Sequence, residues 1–374
     1  VRLTDMEANN RHKNWRIFGN AYLEIEPIKA LVLKSSFGLN YSNGFNSTFV
    51  PKWQEGSRKV ETNELTVRED NSLQWVWANT INYAKDFGKH SINALIGMEA
   101  KKENGEHVQG YGRGLIIEDL DYRYLDAVTD GKDVSNNSSS YAMVSYFGKV
   151  NYAYDEKYLV SGTLRRDASS RFGNGNNSAI FPSVSAGWRI SRENFMETTS
   201  NWLSDLKLRA SWGINGNDMI DNSATYSLYY VDMNTGSYNF SGDGKTLSPG
   251  VIKTMSGNNN LKWEQTEQFN IGIDAAFLDN RLGVTMDYFK KKTKDMLIQK
   301  PYIAAIGEGG YKWYNAASMD NNGVEATITW HDKINDFNYE VAFNVSYYHN
   351  EITDLPEEVK YTWGGGDGIS KTII

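Results

Sequence analysis

The chain has 374 residues, with 39 Lys and Arg against 46 Asp and Glu for a formal net charge of −7. Phosphate-backbone binding needs a concentrated positive footprint, and the sequence offers no basic run to supply one, which excludes a nucleic-acid partner. The absence of cysteine excludes disulfides, thiolate-held zinc and thiol nucleophiles, and a mean hydropathy of −0.57 without any long apolar run excludes membrane helices.

What remains is rich in Tyr, Trp and Gly and poor in Pro, a composition suited to strands and turns. Period-two alternation predicts about twelve strands, near 13–25, 30–42, 64–83, 90–101, 141–154, 158–167, 179–191, 205–213, 261–278, 281–297, 322–331 and 337–350. The pattern is clearest where Leu206, Leu208, Ala210 and Trp212 alternate with Lys207, Arg209, Ser211 and Gly213. It is as clear where Phe337, Tyr339, Val341, Phe343, Val345 and Tyr347 alternate with polar or small residues. Successive side chains of a strand point to opposite faces, so each segment has one apolar and one polar face. A short helix is predicted only around Glu193–Ser200.

The connections alternate in length. Short ones fall at 26–29, 84–89, 155–157, 192–204, 279–280 and 332–336, and long ones at 43–63, 102–140, 168–178, 214–260, 298–321 and from 351 onward. In an up-and-down antiparallel sheet every second connection lies at the same end. One trimmed and one elaborated end is the pattern of outer-membrane barrels, with short periplasmic turns and long extracellular loops. Aromatics gather at the short-turn end (Tyr22, Tyr83, Phe87, Tyr154, Tyr158, Phe195, Trp202, Phe277 and Phe337), where an interfacial girdle belongs. Periodicity alone leaves a competing reading open: a soluble or surface-attached β-rich carbohydrate-binding protein whose apolar faces look into a core.

Several stretches, in order, carry a resemblance. They are Tyr146-Phe147-Gly148-Lys149-Val150-Asn151-Tyr152, Arg165-Arg166-Asp167-Ala168-Ser169-Ser170-Arg171-Phe172-Gly173, Phe181-Pro182-Ser183-Val184-Ser185-Ala186-Gly187-Trp188, Trp202 to Gly213 closing on Asn215-Gly216-Asn217, Asn260-Leu261-Lys262-Trp263-Glu264 and Asn322-Gly323-Val324-Glu325. Together they resemble the mid-to-late barrel of the SusC/RagA-type TonB-dependent transporters of the outer membrane. The likeness is good over roughly 141–355 and rests on strand pattern alone over 1–140. It implies an all-β, transmembrane antiparallel up-and-down barrel, of which this chain supplies about twelve strands of some 22. It further implies import of oligosaccharides or oligopeptides, a SusD-like surface lipoprotein as partner, TonB acting through a plug, and an outer-membrane location. On this reading 1–350 is a barrel segment and 351–374 the start of an extracellular loop, with the plug domain and closing strands absent.

No enzyme is expected. The five histidines (His12, His90, His107, His331 and His349) are scattered without a ligand spacing, and Glu264 and Glu267 lie on opposite faces of one strand. Asp232-x-Asn234-x-Gly236 and Asp320-Asn321-Asn322-Gly323 are incomplete fragments of calcium-loop chemistry, so neither a metal nor a cofactor is expected. Arg165, Asp167, Arg189, Lys207, Arg209, Arg281, Asp287, Glu325 and Glu340 fall on the polar parity and are the candidates to face the lumen. On the lipid side an arginine or lysine at mid-membrane costs ~2–4 kcal/mol. The long connections carry Phe45, Phe49, Trp53, Tyr111, Tyr229, Tyr230, Tyr238, Trp313 and Tyr314. Of these, Trp53, Tyr111, Tyr229, Tyr238, Trp313 and Tyr314 are the leading candidates to stack on sugar faces or grip peptide side chains at the mouth.

Overall fold

A computed structural model describes residues 10–173, 175–232, 237–240, 242, 247–248, 250–300 and 311–356, with the backbone of 361–363 and 371–373. The strands are β1 (Arg11–Ile28), β2 (Leu31–Val50), β3 (Trp53–Glu55), β4 (Arg58–Val60), β5 (Glu64–Phe87), β6 (His90–Arg113), β7 (Asp130–Tyr154), β8 (Tyr158–Ser169) and β9 (Ser178–Arg189). They continue as β10 (Leu203–Asn217), β11 (Leu228–Asp232), β12 (Gly250–Met255), β13 (Glu264–Phe277), β14 (Leu282–Lys300), β15 (Lys312–Ile334), β16 (Phe337–Asp354), β17 (Tyr361–Trp363) and β18 (Lys371–Ile373). Twelve of them form one sheet in the order β1-β2-β5-β6-β7-β8-β9-β10-β13-β14-β15-β16. The remaining six make three separate hairpins. Every sheet neighbour is also the next long strand in the chain, which is up-and-down topology. All twelve predicted strands are present, and the predicted short helix is a 3-10 segment at Asn194–Thr199.

The strands outrun their predicted ends on the long-loop side. β6 has 24 residues and β7 has 25, about 80 Å of extended chain at ~3.3 Å per residue, whereas a tilted strand crosses the hydrocarbon in ~9–11 residues. Much of what the spacing assigned to loops, including Phe45, Phe49, Tyr111, Trp313 and Tyr314, is therefore strand. Asp320–Gly323 is likewise extended and paired on both sides within β15, where a carbonyl oxygen of Tyr347 would stand 2.5 Å from any Cβ on Gly323. That geometry is not a calcium loop. Of the other fragment, 233–236 lie outside the described residues.

The turns at the short end are built by left-handed backbone. Asp155 and Glu156 have φ of 53° and 52°, Leu278, Asp279 and Asn280 lie at 56°, 56° and 65°, and Asn335 at 55°. Two consecutive left-handed residues make the type I′ turn, whose twist matches the flanking strands. Neighbouring turns are also tied to each other. Lys89 Nζ lies 2.9 Å from Asp155 Oδ2 while Asp155 N donates to Lys89 O at 2.6 Å, and Arg192 reaches Glu156 at 2.7 Å.

The chain divides into two compact units, Val1–Glu24 with Lys34–Asn79 and Glu99–Met143, and Ile25–Leu33 with Thr80–Met98 and Val144–Ile374. In the first, Phe49, Leu65, Leu115 and Val128 are buried together, with Val67 and Leu125 against them. Segment 115–128 thus covers the face that carries Leu65 and Val67. Gly110 and Gly112 make room for it, since a Cβ on either would stand 2.4 Å from Leu125 or Val128. The Gly110-Tyr111-Gly112-Arg113-Gly114 run is therefore a packing surface. Asn63, wholly buried, pins the cover by accepting from Leu115 N and donating to Leu115 O and Glu118.

In the second unit the short-turn end carries an aromatic belt on the apolar parity. Phe87 stacks on His90 at 5.5 Å, His90 meets Tyr154 edge-on at 5.0 Å, and Tyr154 stacks on Tyr158 at 6.4 Å. Further along, Trp202 stacks on Phe277 and Phe337 on Tyr339. Glu193 ties the belt to the turn, accepting from Tyr158 and Trp188. Tyr22, expected in the girdle, is not in it. Its ring lies under Lys34 Nζ at 4.4 Å, on the polar parity shared with Glu24, where the cation holds it.

Two outcomes follow. The Lys89 bond holds the Asp155 carboxyl below the ordinary carboxylate range, and Asp155 holds the Lys89 ammonium above its ordinary range. The contribution of Asp155 is thus present above about pH 4 and is lost as pH falls through its folded pKa. That of Lys89 is present below about pH 10 and is lost as pH rises through its folded pKa. The melting-temperature difference between wild type and Asp155→Asn is accordingly flat across neutral pH and shrinks at both extremes. Separately, Ile271→Arg on the apolar parity of β13 costs roughly 2–4 kcal/mol in lipid by denaturant titration, whereas Asn270→Arg on the other face costs far less.

Candidate functional site

The polar parity of β9, β10, β13, β14 and β15 assembles a ladder of ions across the wall. Lys207 is paired in register with Arg189 on one side and Asp274 on the other. Gly272 stands in register with both Arg209 and Asp287, and Asp287 with Glu325. Arg209 spans the strand between its partners: Nε lies 2.9 Å from Asp274 and a terminal nitrogen donates to Asp287 at 2.8 Å. Lys207 adds a contact of 3.7 Å to Asp274. Gly272 permits the span, because a Cβ there would stand 2.4 Å from Asp287 Oδ1 and 2.9 Å from the guanidinium.

The other lumen candidates distribute around this ladder. Arg165 pairs with Asp167 two residues along β8 at 2.7 Å and donates to Ser145 at 2.8 Å, with its guanidinium over Phe147. Asp167 is buried. Arg189 reaches Asp205 at 3.6 Å and the turn residue Glu156 at 3.8 Å. Glu325 and Glu340 are exposed. Arg281 departs from expectation: it lies in the turn before β14, capping Leu278 O and pairing with Asp332 at 3.5 Å, because three left-handed residues carry the chain past it. Beside Lys207 and Arg209 the same face is floored by small side chains, including Ser91, Ser161, Ser185 and Gly187, leaving a trough of about 400 Å³.

The predicted mouth aromatics fall into two groups. Tyr229, Tyr230 and Tyr238 are open to solvent at 64%, 61% and 68% exposure, on or beside the β11–β12 hairpin, with Tyr238 against Phe240. The others are engaged within the fold. Phe49 is core, under the Arg123 guanidinium at 3.9 Å. Trp313 donates to Asp221 at 3.0 Å, and Tyr314 lies beneath Lys300 and Lys312. Trp53 is half-buried in the small β3–β4 hairpin. The Tyr111 phenol is pushed above its ordinary range by burial and by its hydrogen bond to Glu64. Apart from Trp53, these side chains sit on strand extensions beyond the lipid.

Sequence reasoning passed over the knot that fixes the loop side of the second unit. Phe172, Phe181 and Trp263 pack at ring-centroid distances of 5.4 Å, with Phe181 over Gly216, where a Cβ would meet its ring at 2.1 Å. Arg171 donates to Asn222 and to Asp218 O, Ser169 donates to Asp218, Asn217 to Glu264, and Glu264 accepts from Leu297 N. The signal was available as runs far apart in sequence. Arg171-Phe172-Gly173, Asn215-Gly216-Asn217 and Leu261-Lys262-Trp263-Glu264 prove to be parts of one contact set. Among the described residues no cluster of three metal-ligating side chains occurs.

An up-and-down sheet with one lipid-compatible face, an interfacial aromatic belt and an internally paired polar face defines the wall of a transmembrane β-barrel. Comparison with known proteins agrees. The family described as TonB dependent receptor-like, beta-barrel matches residues 3–371, and the chain belongs to that family. The chain is 33% identical to TonB-dependent receptor P3 of Formosa agariphila over 90% of its length and 31% identical to TonB-dependent receptor SusC of Bacteroides thetaiotaomicron over 91%. In each case it spans 33% of the relative. The structure of the RagAB peptide transporter superposes with a TM-score of 0.84 at 28% identity, covering 97% of this chain and 39% of that one. Proteins of this type reside in the outer membrane of Gram-negative bacteria.

Removing Arg209 leaves Asp274 and Asp287 without their shared partner. Arg209→Ala and Gly272→Ala each cost about 1–3 kcal/mol of barrel stability, and the double variant costs less than their sum because both break one contact. Strict additivity in urea titrations would show that Gly272 does not serve the ion pair.

Proposed function

We propose that this chain forms part of a TonB-dependent importer that carries oligosaccharides or oligopeptides across the outer membrane, acting by binding and conduction without bond-making. The observation that carries the reading is the polar face of the second unit, on which Lys207, Arg209, Asp274 and Asp287 neutralise one another, on strands whose other face suits lipid. A wall built this way lines an aqueous path. Kinship with SusC and with the RagAB peptide transporter supports the same reading. A SusD-like surface lipoprotein is the partner of this importer, and TonB supplies the energy through a plug.

In this mechanism solute first meets Tyr229, Tyr230 and Tyr238. Their rings are exposed and so stack on a sugar face or an aromatic side chain without first breaking internal contacts. Solute then passes the Lys207, Arg209, Asp274 and Asp287 quartet, whose charges are already held in pairs, so those cations do not trap it. The mechanism predicts that a Tyr229→Ala, Tyr230→Ala, Tyr238→Ala triple variant assembles normally, judged by heat-modifiable migration, yet lowers uptake of the native solute at least tenfold. A protonophore abolishes uptake in wild type. Unchanged uptake in the triple variant would remove these rings from the path, and protonophore-insensitive uptake would rule out TonB.

A further inference from the structure

Above the lipid, the strands of the first unit have two unlike faces. One carries Leu65 and Val67 and is closed by segment 115–128. The other is open. There β1, β2, β5, β6 and β7 line a groove of about 560 Å³, with His12, Asn14, Asn46, Asp70, His107 and Asn137 among its walls. That volume lies within the roughly 300–1,000 Å³ usual for small-ligand sites. The lining residues are Asn, Ser, Gly, His, Asp, Glu and Lys, without an aromatic or aliphatic side chain.

Resting on the import reading above, we infer that this groove is a subsite for a neutral oligosaccharide. Three observations select that class over a peptide or an acidic glycan. First, four of the five lining strands, β2, β5, β6 and β7, are interior to the sheet order, so their backbone groups are used in the ladder and offer no free edge for strand addition by a peptide; β1, at one rim of the groove, ends the order. Second, the lining of this groove offers no apolar side chain to hold that of a peptide. Third, the groove face holds no free cation: Arg68 grips Asp70 through two nitrogens at 2.6–2.9 Å, and Lys13, like Glu106, alternates with the groove-facing residues of its strand. An acidic sugar therefore finds no surplus cation.

The available groups match sugar hydroxyls, each of which both donates and accepts. Asn amides do both from one planar group. His12 and Asn46 are already held to each other at 2.8 Å, which fixes their orientation. The side chains of Asn14, His107 and Asn137 make no hydrogen bond among the described residues. Gly44 and Gly105 keep the floor low: the nearest neighbour of a Cβ on either is 3.9 Å away, and neither has left-handed backbone. A larger side chain at these positions fills the groove without straining the chain.

The test uses the full-length outer-membrane protein in detergent, with calorimetric titration of maltohexaose, cellohexaose, mannohexaose, hexagalacturonate and a tryptic casein digest. At least one neutral hexasaccharide is expected to bind, with Gly105→Phe weakening it at least tenfold. Gly44→Phe serves as an independent filling variant, and heat-modifiable migration of both variants monitors assembly. Failure of all three neutral hexasaccharides to bind overturns the proposal. So does neutral-sugar binding that both filling variants leave intact, or Gly105→Phe-sensitive binding of hexagalacturonate or casein peptides instead. Uptake by cells separates the two readings. TonB-dependent uptake of casein peptides with no sugar binding overturns the subsite and leaves the importer standing, whereas cells that import none of the probes overturn both.

Discussion

Lipid offers no hydrogen bonds, so every amide and carbonyl that crosses it must find its partner within the wall. The unbroken ladder of twelve antiparallel strands answers that demand, and the other features of the sheet follow from it. Once the backbone is committed to the ladder, the only freedom left to each residue is which face its side chain takes. Apolar side chains take the lipid face, and ionic ones must then meet each other on the far side. Arg209 between Asp274 and Asp287 is the local outcome, and Gly272 is the gap that makes the outcome reachable.

The same constraint explains how much of the fold could be read from sequence. Within the hydrocarbon the two faces differ sharply, so alternation was clean and all twelve strands were legible, with all six short turns placed within a few residues. Above the lipid both faces meet water or folded protein, and alternation fades. In Ser42-Asn43-Gly44-Phe45-Asn46 polar and apolar residues no longer sort by parity, so a strand reads as loop. The glycines of the 110–114 run carried the same ambiguity: they fall in the connection predicted at 102–140 and read as loop, but they serve as bare backbone against which Leu125 and Val128 pack.

The candidate site was legible in its chemistry and only partly in its geometry. Parity alone put Lys207, Arg209 and Asp287 on one face, since it needs no knowledge of neighbouring strands. Which ion meets which depends on register, which a single strand does not encode. Aromatic side chains were harder still. Tyr229 and Trp313 look alike as loop residues, yet one is free and the other is bound to Asp221, because a partner far along the chain decides the matter. The polar groove escaped notice for the converse reason. Asn, Ser and Gly in a predicted loop carry no signal until the strands bearing them are seen side by side.

The paired ladder has an electrical consequence. Lys207 and Arg209 carry two positive charges, Asp274 and Asp287 two negative ones, and all four meet within hydrogen-bonding or near-contact distance. At distances beyond a few ångströms such a quartet is close to silent, because its field falls away faster than that of any single charge. On the import reading proposed above, this quartet by itself presents neither a cation trap nor an anion barrier. On that reading, discrimination by charge falls to surfaces other than the quartet.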